Sequence, residues 1–583
     1  MIKNTPTICS FCSNGCGMFV RTNGEEALGV LPSVSHPVSQ GRLCHRGWNR
    51  FQNLRSVNRI SRPLLRNGSQ AKEVGWEEAF QTIKEKLSGI LSSYGPQSIG
   101  IVGSPWLTNE DNYLTFLFSQ RVLTTDNVDG TYRFGGASAL RALERASSGT
   151  LGSLGSIPSL NESPAILLLG HESFRDFSPV GSRIVQAFLK GSKVILAEPC
   201  SSRTEHFYAH QFTKSLADLS FALQEKGSIP DDVWDSLAQA GLGLVFVADQ
   251  VSPASNLVSL LSVLLPRLPT QNKKLNLLTL SRSPNLRGAW DMGIKPGKQG
   301  LNLHEMLDAK SNIKGLLVFA DDLLAHLPSS AMIEKLKKLE FLLVSDRFVT
   351  KTSQIAHCVL PIPLLAEEDG TMTNCEGRVQ MLRSAIPKRG ESRSLLDVLG
   401  EIAGRLGKSL TYRSGLEVRE AISAQVPAYQ KISSASELDS SSGILLPSSE
   451  LNGAASSAIQ KSKVSEGKFV LIIPNTLNAW NRNRMILESP VLNIEYPSDR
   501  LGIRMNPQDV RDLKLRMGEK VKIKSERGEV QAPIELDNTV PSKTLVLPLH
   551  FIDLVEGVAG HGDVDADTKS LFYSNLYVSV EKI

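Results

Sequence analysis

Four cysteines stand close to the start of this 583-residue chain, at Cys9, Cys12, Cys16 and Cys44, with the spacing C-x2-C-x3-C-x27-C. No other feature narrows the fold as much. The N-terminus MIKNTPTICSFC has no apolar signal segment and no twin arginine, so the chain is expected in the cytoplasm, where such thiols bind metal rather than form disulfides. Four thiolates can close a tetrahedral zinc site or hold a [4Fe–4S] cube. Zinc ribbons usually bring two close pairs, whereas here three close cysteines precede a remote one. Gly15 and Gly17 flank Cys16, where a loop wrapped round a bulky cluster needs permissive backbone and N–H groups facing sulfur. The pattern favours a [4Fe–4S] cluster over structural zinc or unligated thiols. From Ala27 to Lys72 there is no Asp or Glu, but there are Arg42, Arg46, Arg50, Arg55, Arg59, Arg62 and Arg66. Some of these make a solvated basic face. The others suit an anionic cluster or a phosphate-bearing cofactor beside them.

The rest of the chain reads as large and α/β. A net charge of +5 on 63.6 kDa gives no argument for nucleic acid. No apolar run reaches the roughly 18 to 20 residues of a membrane span. Trp76, Ala79, Phe80, Ile83, Leu87 and Ile90 recur at helical spacing. Short apolar runs follow at 98–104, 165–170, 192–199, 242–249, 313–321 and 339–346, with amphipathic stretches such as 180–190, 254–266 and 329–338 between them. This alternation predicts a doubly wound sheet with ligands beyond the strand C-termini. Residues 432–466 are crowded with serine and read as a linker. The segment KVKIKSERGEVQAPIEL beyond it alternates about an Arg527-Gly528 turn and predicts a hairpin. The expected division is a cluster domain over 1–56, α/β domains over 57–431, the linker, and a β-rich domain over 467–583.

CSFCSNGCG followed by GRLCHRG resembles the start of the molybdopterin oxidoreductases of the formate dehydrogenase alpha-subunit type. It is similar, too, to the homologous part of the large iron–sulfur subunit of NADH-quinone oxidoreductase. The resemblance continues through GSPWLTNEDNYL, TTDNVDG, NLRGAWDMG, the run from DRFVTKTSQIAHCVLP to AEEDGTMTNCEGRVQ, NPQDV and VKIKSERGEV. It implies a molybdopterin-oxidoreductase fold: an N-terminal [4Fe–4S] domain, doubly wound α/β domains and a C-terminal six-stranded β-barrel. It also implies a pair of molybdopterin guanine dinucleotides. By position, Ser104, Asn109 and Glu110 would sit at the first dinucleotide, although Thr108 before two acids also reads as a helix cap. Gly170, Glu198 and Pro199 fall at the second nucleotide block, which is degraded here. Asp346, Thr352, Glu368, Gly370, Thr371 and Asn374 match well, and Asn374 also reads as a turn asparagine. Arg46 stands where the family usually has a lysine that helps electrons pass between cluster and pterin. His357 reads as structural, and Cys200, Cys358 and Cys375 as small buried residues.

One departure bears on chemistry. In formate dehydrogenases of this family, cysteine or selenocysteine and then histidine follow an Asn-Val-Asp block and an arginine. Here Asn127-Val128-Asp129 and Arg133 lead to Gly135 and Gly136, which offer neither a soft ligand nor a proton acceptor. The large iron–sulfur subunit of NADH-quinone oxidoreductase generally lacks this ligand too. The reading favoured is therefore an electron-transfer iron–sulfur subunit of a multi-subunit oxidoreductase, with pterin uncertain and molybdenum or tungsten not ligated by a thiolate. Its partners would be redox subunits carrying iron–sulfur clusters or flavin, with a cytoplasmic place or a peripheral one at the inner membrane face. The alternatives are an active molybdenum or tungsten enzyme of formate dehydrogenase type and a structural metal-binding module.

Overall fold

The apolar residues at three- and four-residue spacing form the buried stripe of helix Trp76–Tyr94, from Trp76 to Ile90. Glu77 and Glu78 in its first turn complement the helix dipole, and Gly95, at φ +78°, ends it. The computed structural model describes the chain apart from residues 69, 148, 150, 171–175, 199–209, 214–218, 220–221, 224–228, 240, 249–250, 252, 269–274, 327–328, 434–437, 439–442, 452–468, 475–483, 496–501, 550, 561 and 575. It folds as two compact units, each assembled from several stretches. One comprises Met1–Arg133, Ser281–Pro447 and Trp480–Tyr496, the other Phe134–Leu280, Ser448–Ala479 and Pro497–Ile583.

The first unit begins with an antiparallel sheet of Ile2–Ile8, Gly17–Asn23 and Glu26–Pro32. Its main sheet has seven strands. Val128–Gly130, Ile99–Gly103, Gly315–Phe319, Phe341–Asp346 and Cys358–Pro361 lie side by side and parallel. The antiparallel hairpin Leu64–Asn67 and Gln70–Glu73 completes one edge. The central strands are buried along their whole length, as unbroken apolar runs predict. Ile444–Leu445, inside the serine-rich stretch, pairs with Arg378–Leu382. The apolar trio Ile444-Leu445-Leu446 accounts for this, since Ile444 and Leu446 are buried.

The second unit holds a five-stranded parallel sheet in the spatial order His210–Thr213, Lys193–Glu198, Ala165–Leu169, Gly243–Val247, Asn276–Leu280. It also holds a closed six-stranded barrel. The expected hairpin is there as Lys520–Lys524 and Glu529–Leu536, its turn closed by Ser525 N–H to Gly528 O at 2.9 Å.

Arg59 shows how part of the basic stretch is used. Its guanidinium grips Glu367 through two bonds of 2.7 and 2.9 Å, with 3% and 1% of the two side chains exposed. Glu367 also accepts the Leu364 N–H at 2.8 Å. Removing one member of such a pair leaves a bare buried charge, at a cost of about 3–5 kcal/mol. Arg59→Ala and Glu367→Ala should therefore each lower the denaturation midpoint more than the double change Arg59→Met with Glu367→Leu. Urea unfolding followed by fluorescence checks this ranking.

Candidate metal centre and ligand crevices

The strand register builds the cysteine loop. Ile8 pairs with Gly17, so residues 9–16 are the connection of a hairpin, and the Cys9 N–H closes onto Cys16 O at 2.8 Å. Cys44 precedes the short helix His45–Trp48 as its N-cap. Cys9, Cys12 and Cys16 are buried and Cys44 is half-buried. The four thiols lie within electrostatic reach of one another. Burial pushes Cys9 up to about 11, helped by Cys44, and Cys12 up to about 12; it raises Cys16 well above the usual thiol range, with Cys12, Cys9 and Cys44 adding to the rise. The Phe11 N–H serves the Cys9 sulfur and the Asn14 N–H the Cys12 sulfur. Arg46 is wholly buried, and its charge acts on Cys9 and Cys12. Arg50, also buried, donates to Ser10 Oγ at 3.1 Å and Asn53 Oδ1 at 2.8 Å.

This donor set fits a [4Fe–4S] cube. Buried thiols with raised pKa values need a cation to hold them as thiolates, and iron would supply it. One zinc ion, with Zn–S about 2.3 Å, would draw its sulfurs to within about 4 Å of each other. Among the described residues no group of three or more His, Cys, Asp or Glu side chains is gathered as the ligands of a single ion are. Gly15 and Gly17 have a further reason to be glycine. Gly15 sits at φ +63°, and a Cβ there would lie 2.0 Å from Gln380 Oε1; a Cβ on Gly17 would lie 2.1 Å from the His36 ring. Gln380 Nε2 donates to Gly15 O at 2.9 Å and faces His36 Nε2 at 3.2 Å. Neither His36 nor Gln380 was marked by spacing, because their importance comes from distant chain packed behind the loop. Cys375, expected as a small buried residue, is half-buried and lies at this loop: its N–H donates to Ser13 O at 2.8 Å and its thiol is near Ser13, Cys12 and Cys16. Cys358 is buried in a strand as expected, and Cys200 lies outside the described residues. His357 is structural, its Nδ1 accepting the Leu342 N–H at 2.9 Å.

Each parallel sheet has a point where strand order reverses, and ligands bind beyond such points. In the seven-stranded sheet it lies between Ile99–Gly103 and Gly315–Phe319. There Ser104 Oγ donates to Ala320 O at 2.8 Å, and Ala320 itself takes φ +53°, a strained value for a residue with a Cβ. Asp321 beside it accepts the Thr131 hydroxyl and faces His326 at 3.2 Å. Thr352 Oγ1 donates to Asp322 Oδ1 at 2.6 Å. Asp346 ends the next strand; burial pushes its carboxyl up to about 7, the Arg347 N–H and guanidinium pull it down, and Asp322 and Asp321 push it up.

Other residues of the resemblance are held from within. Thr108 caps helix Asn109–Leu117 through a capping box with Asp111. Glu110 accepts from Thr371 N–H at 2.8 Å and Arg419 Nε at 3.1 Å, and Asn109 Nδ2 reaches Thr371 and Thr373 hydroxyls at 3.1 Å. Glycine at 370 allows close approach of Thr108, whose Cγ2 a Cβ there would meet at 2.5 Å. Asn374 is a turn residue: its Oδ1 accepts the N–H groups of Glu376 and Arg378, and its Nδ2 donates to Asn14 O. In the five-stranded sheet the reversal lies between Ala165–Leu169 and Gly243–Val247. Gly170 stands there at φ +92°, its N–H on Ala197 O at 3.0 Å. Glu198 ends strand Lys193–Glu198, and Pro199 lies outside the described residues.

After strand Val128–Gly130 the chain makes one turn, Thr131–Phe134, and enters helix Ala137–Ala146. Arg133 is locked on Asp129 by bonds of 2.7 and 2.8 Å, and Asp129 also accepts the Leu303 N–H. Gly136 is the N-cap of the helix at φ +108°. A histidine there would be strained whatever space it found.

The sequence matches the family model of molybdopterin oxidoreductases over residues 59–405, their Fe4S4 domain over 2–54 and the dinucleotide-binding domain over 469–570. The chain belongs to the molybdopterin oxidoreductase family. It is 25% identical over 683 aligned positions to the F420-dependent formate dehydrogenase subunit alpha of Methanocaldococcus jannaschii, covering all of both chains. Its fold matches acetylene hydratase from Pelobacter acetylenicus with a TM-score of 0.67 at 14% identity, over 99% of this chain and 100% of that one.

The position of Asp346 predicts a pH dependence. Its folded pKa of about 7 lies above the roughly 3.9 of an unfolded aspartate, so the unfolded chain loses this proton first. Its contribution to stability therefore falls as pH rises from about 4 through 7. Asp346→Asn keeps an oxygen for the Arg347 N–H but cannot ionise. Relative to the unmodified protein, its melting temperature should rise between pH 5 and pH 8; thermal melts across that range check the sign.

Proposed function

We propose that this chain is an electron-transfer iron–sulfur subunit of a multi-subunit oxidoreductase, without thiolate-ligated molybdenum or tungsten chemistry of its own. Cys9, Cys12, Cys16 and Cys44 are the cluster ligands in this reading. When bound, the cluster supplies one-electron transfer. The protein's part is to bury the ligands, present N–H groups to sulfur and keep Arg46 charged beside them, the electron relay. Ser104, Gly170 and Asp346, at or near the strand reversals and strand ends, would line dinucleotides. Asn109, Glu110, Thr352, Gly370 and Asn374 would hold the lining blocks in place, with Glu198 and Pro199 at the second block. The observation that carries the proposal is the Gly135-Gly136 pair, with Gly136 in a backbone conformation that disfavours any side chain. That the chain works with other subunits is supported by the relative named as an alpha subunit; in this reading those partners carry iron–sulfur clusters or flavin. Among the described residues no helix is long and apolar enough to cross a membrane, so a place at the inner membrane face would depend on such partners.

The second reading, an active enzyme of formate dehydrogenase type, draws on the likeness to that relative along its full length. Metal and pterin analysis with a formate assay separates the two. The expected protein carries about four iron per chain and reduces no dye with formate. Formate-dependent dye reduction proportional to molybdenum or tungsten content would establish the second reading instead. Stoichiometric zinc without iron after anaerobic preparation would remove both.

Arg46 offers a separate check. Its charge stabilises the reduced cluster. Arg46→Lys should leave the midpoint potential nearly unchanged. Arg46→Ala should lower it by some tens of millivolts, where about 59 mV is tenfold for one electron. EPR-monitored titration of both variants reads this out.

A further inference from the structure

We infer that the side-chain amide of Asn14 donates a hydrogen bond to a sulfur of the [4Fe–4S] cluster and raises its reduction potential. The inference rests on ligation by the four cysteines. Asn14 lies between Cys12 and Cys16 and is 0% exposed. Neither its Nδ2 nor its Oδ1 has a hydrogen-bond partner in the protein. A buried polar group left in that state costs about 1–3 kcal/mol, so folded proteins pair such groups or give them a ligand or water.

The backbone around Asn14 is fixed. The Asn14 N–H serves the Cys12 sulfur, and its carbonyl accepts Asn374 Nδ2 at 3.0 Å. Ser13 before it is pinned three ways: its N–H on Ser281 O, its carbonyl on the Cys375 N–H, and its hydroxyl on the Ser281 N–H at 2.7 Å. The nearby asparagines behave differently. Asn374 and Asn285 each satisfy both ends of the amide with protein groups. Of these three, Asn14 alone has a side-chain amide with no protein partner at either end, and its own backbone N–H serves the Cys12 sulfur. Anionic sulfur is an acceptor that the polypeptide lacks and the cluster brings, and hydrogen bonds to sulfur raise a cluster's potential. A buried water can serve the oxygen end. Asn14 is thus a positioning residue for the cluster, distinct from its ligands.

The test uses the full chain, with iron content read first. An iron-free unmodified protein would overturn the ligation on which this inference stands, before Asn14 is at issue. In Asn14→Leu, which keeps the branched outline with some added bulk and removes the donor, the reduced-to-oxidised ratio at a fixed potential should fall about tenfold, equivalent to roughly 59 mV. One exchangeable proton coupled to the reduced cluster should also vanish from its ENDOR spectrum in a comparison of H2O with D2O. An unchanged potential and proton set, with iron intact, would overturn the assignment. Should Asn14→Leu fail to assemble, the unmodified protein labelled with 15N at the asparagine side chains decides. A 15N coupling in the pulsed EPR of its reduced cluster supports the bond, and no such coupling overturns it.

Discussion

Four thiols cannot be buried together as charges unless a cation joins them, and much of the first unit is arranged around that requirement. The loop between Ile8 and Gly17 takes three sulfurs out of water, and the half-buried Cys44 completes the group. Desolvation and mutual repulsion push the buried three toward the neutral thiol. Several groups packed against the loop ease the ionised state or fix its shape. Arg46 and Arg50 bring positive charge, the Phe11 and Asn14 N–H groups point at sulfur, and Gln380 holds the Gly15 carbonyl. A loop built this way is coupled to its metal, because the same contacts that orient the thiols are worth little without a cation among them.

The strand carrying Gln380 links this loop to the rest of the unit. Asn374, Cys375 and Gln380 all touch residues 13–15. A few residues earlier, Thr371 and Thr373 hold Asn109 and Glu110, which open the helix after Ser104. A short stretch, 370–380, therefore joins the cysteine loop to the sheet reversal at Ser104 and Ala320 through buried hydrogen bonds. Buried polar networks of this kind specify one arrangement, since any slip leaves donors without acceptors. On the proposed reading this rigidity is what an electron path needs.

How much of this was legible in the sequence depended on the range of the interaction. The helix stripe from Trp76 to Ile90, the apolar strands and the Arg527-Gly528 hairpin follow local periodicity, and they stand where periodicity puts them. The cysteine spacing was legible for the same reason: three of the four sulfurs belong to one loop. His36, Gln380 and Cys375 were not legible, because their roles arise from contacts across up to 365 residues of chain. Arg59 could be read only as one of a basic series; its partner Glu367 is 308 residues away. The serine-rich stretch misled by composition. Three apolar residues at 444–446 were enough to add a strand, whatever the serines around them favoured.

The Gly135-Gly136 pair can be weighed against the loop in the same physical terms. Around Cys9–Cys16 the polypeptide offers ligands, backbone donors and buried cations together. After Val128–Gly130 it keeps the Asp129–Arg133 pair, both ends buried and bonded bidentately. That pair is satisfied within the chain, since Asp129 also accepts the Leu303 N–H, so its presence is explained by packing alone. Beyond it the helix begins on a glycine at φ +108°, and a side chain added there would have to distort the cap before it met any metal. Exchange of one atom set for another at Gly135 would not be enough: a base at 136 would first need a different backbone. The difference between the two places is thus one of construction. On the proposed reading one is built to hold charged sulfur, and the other has its backbone set for a helix start.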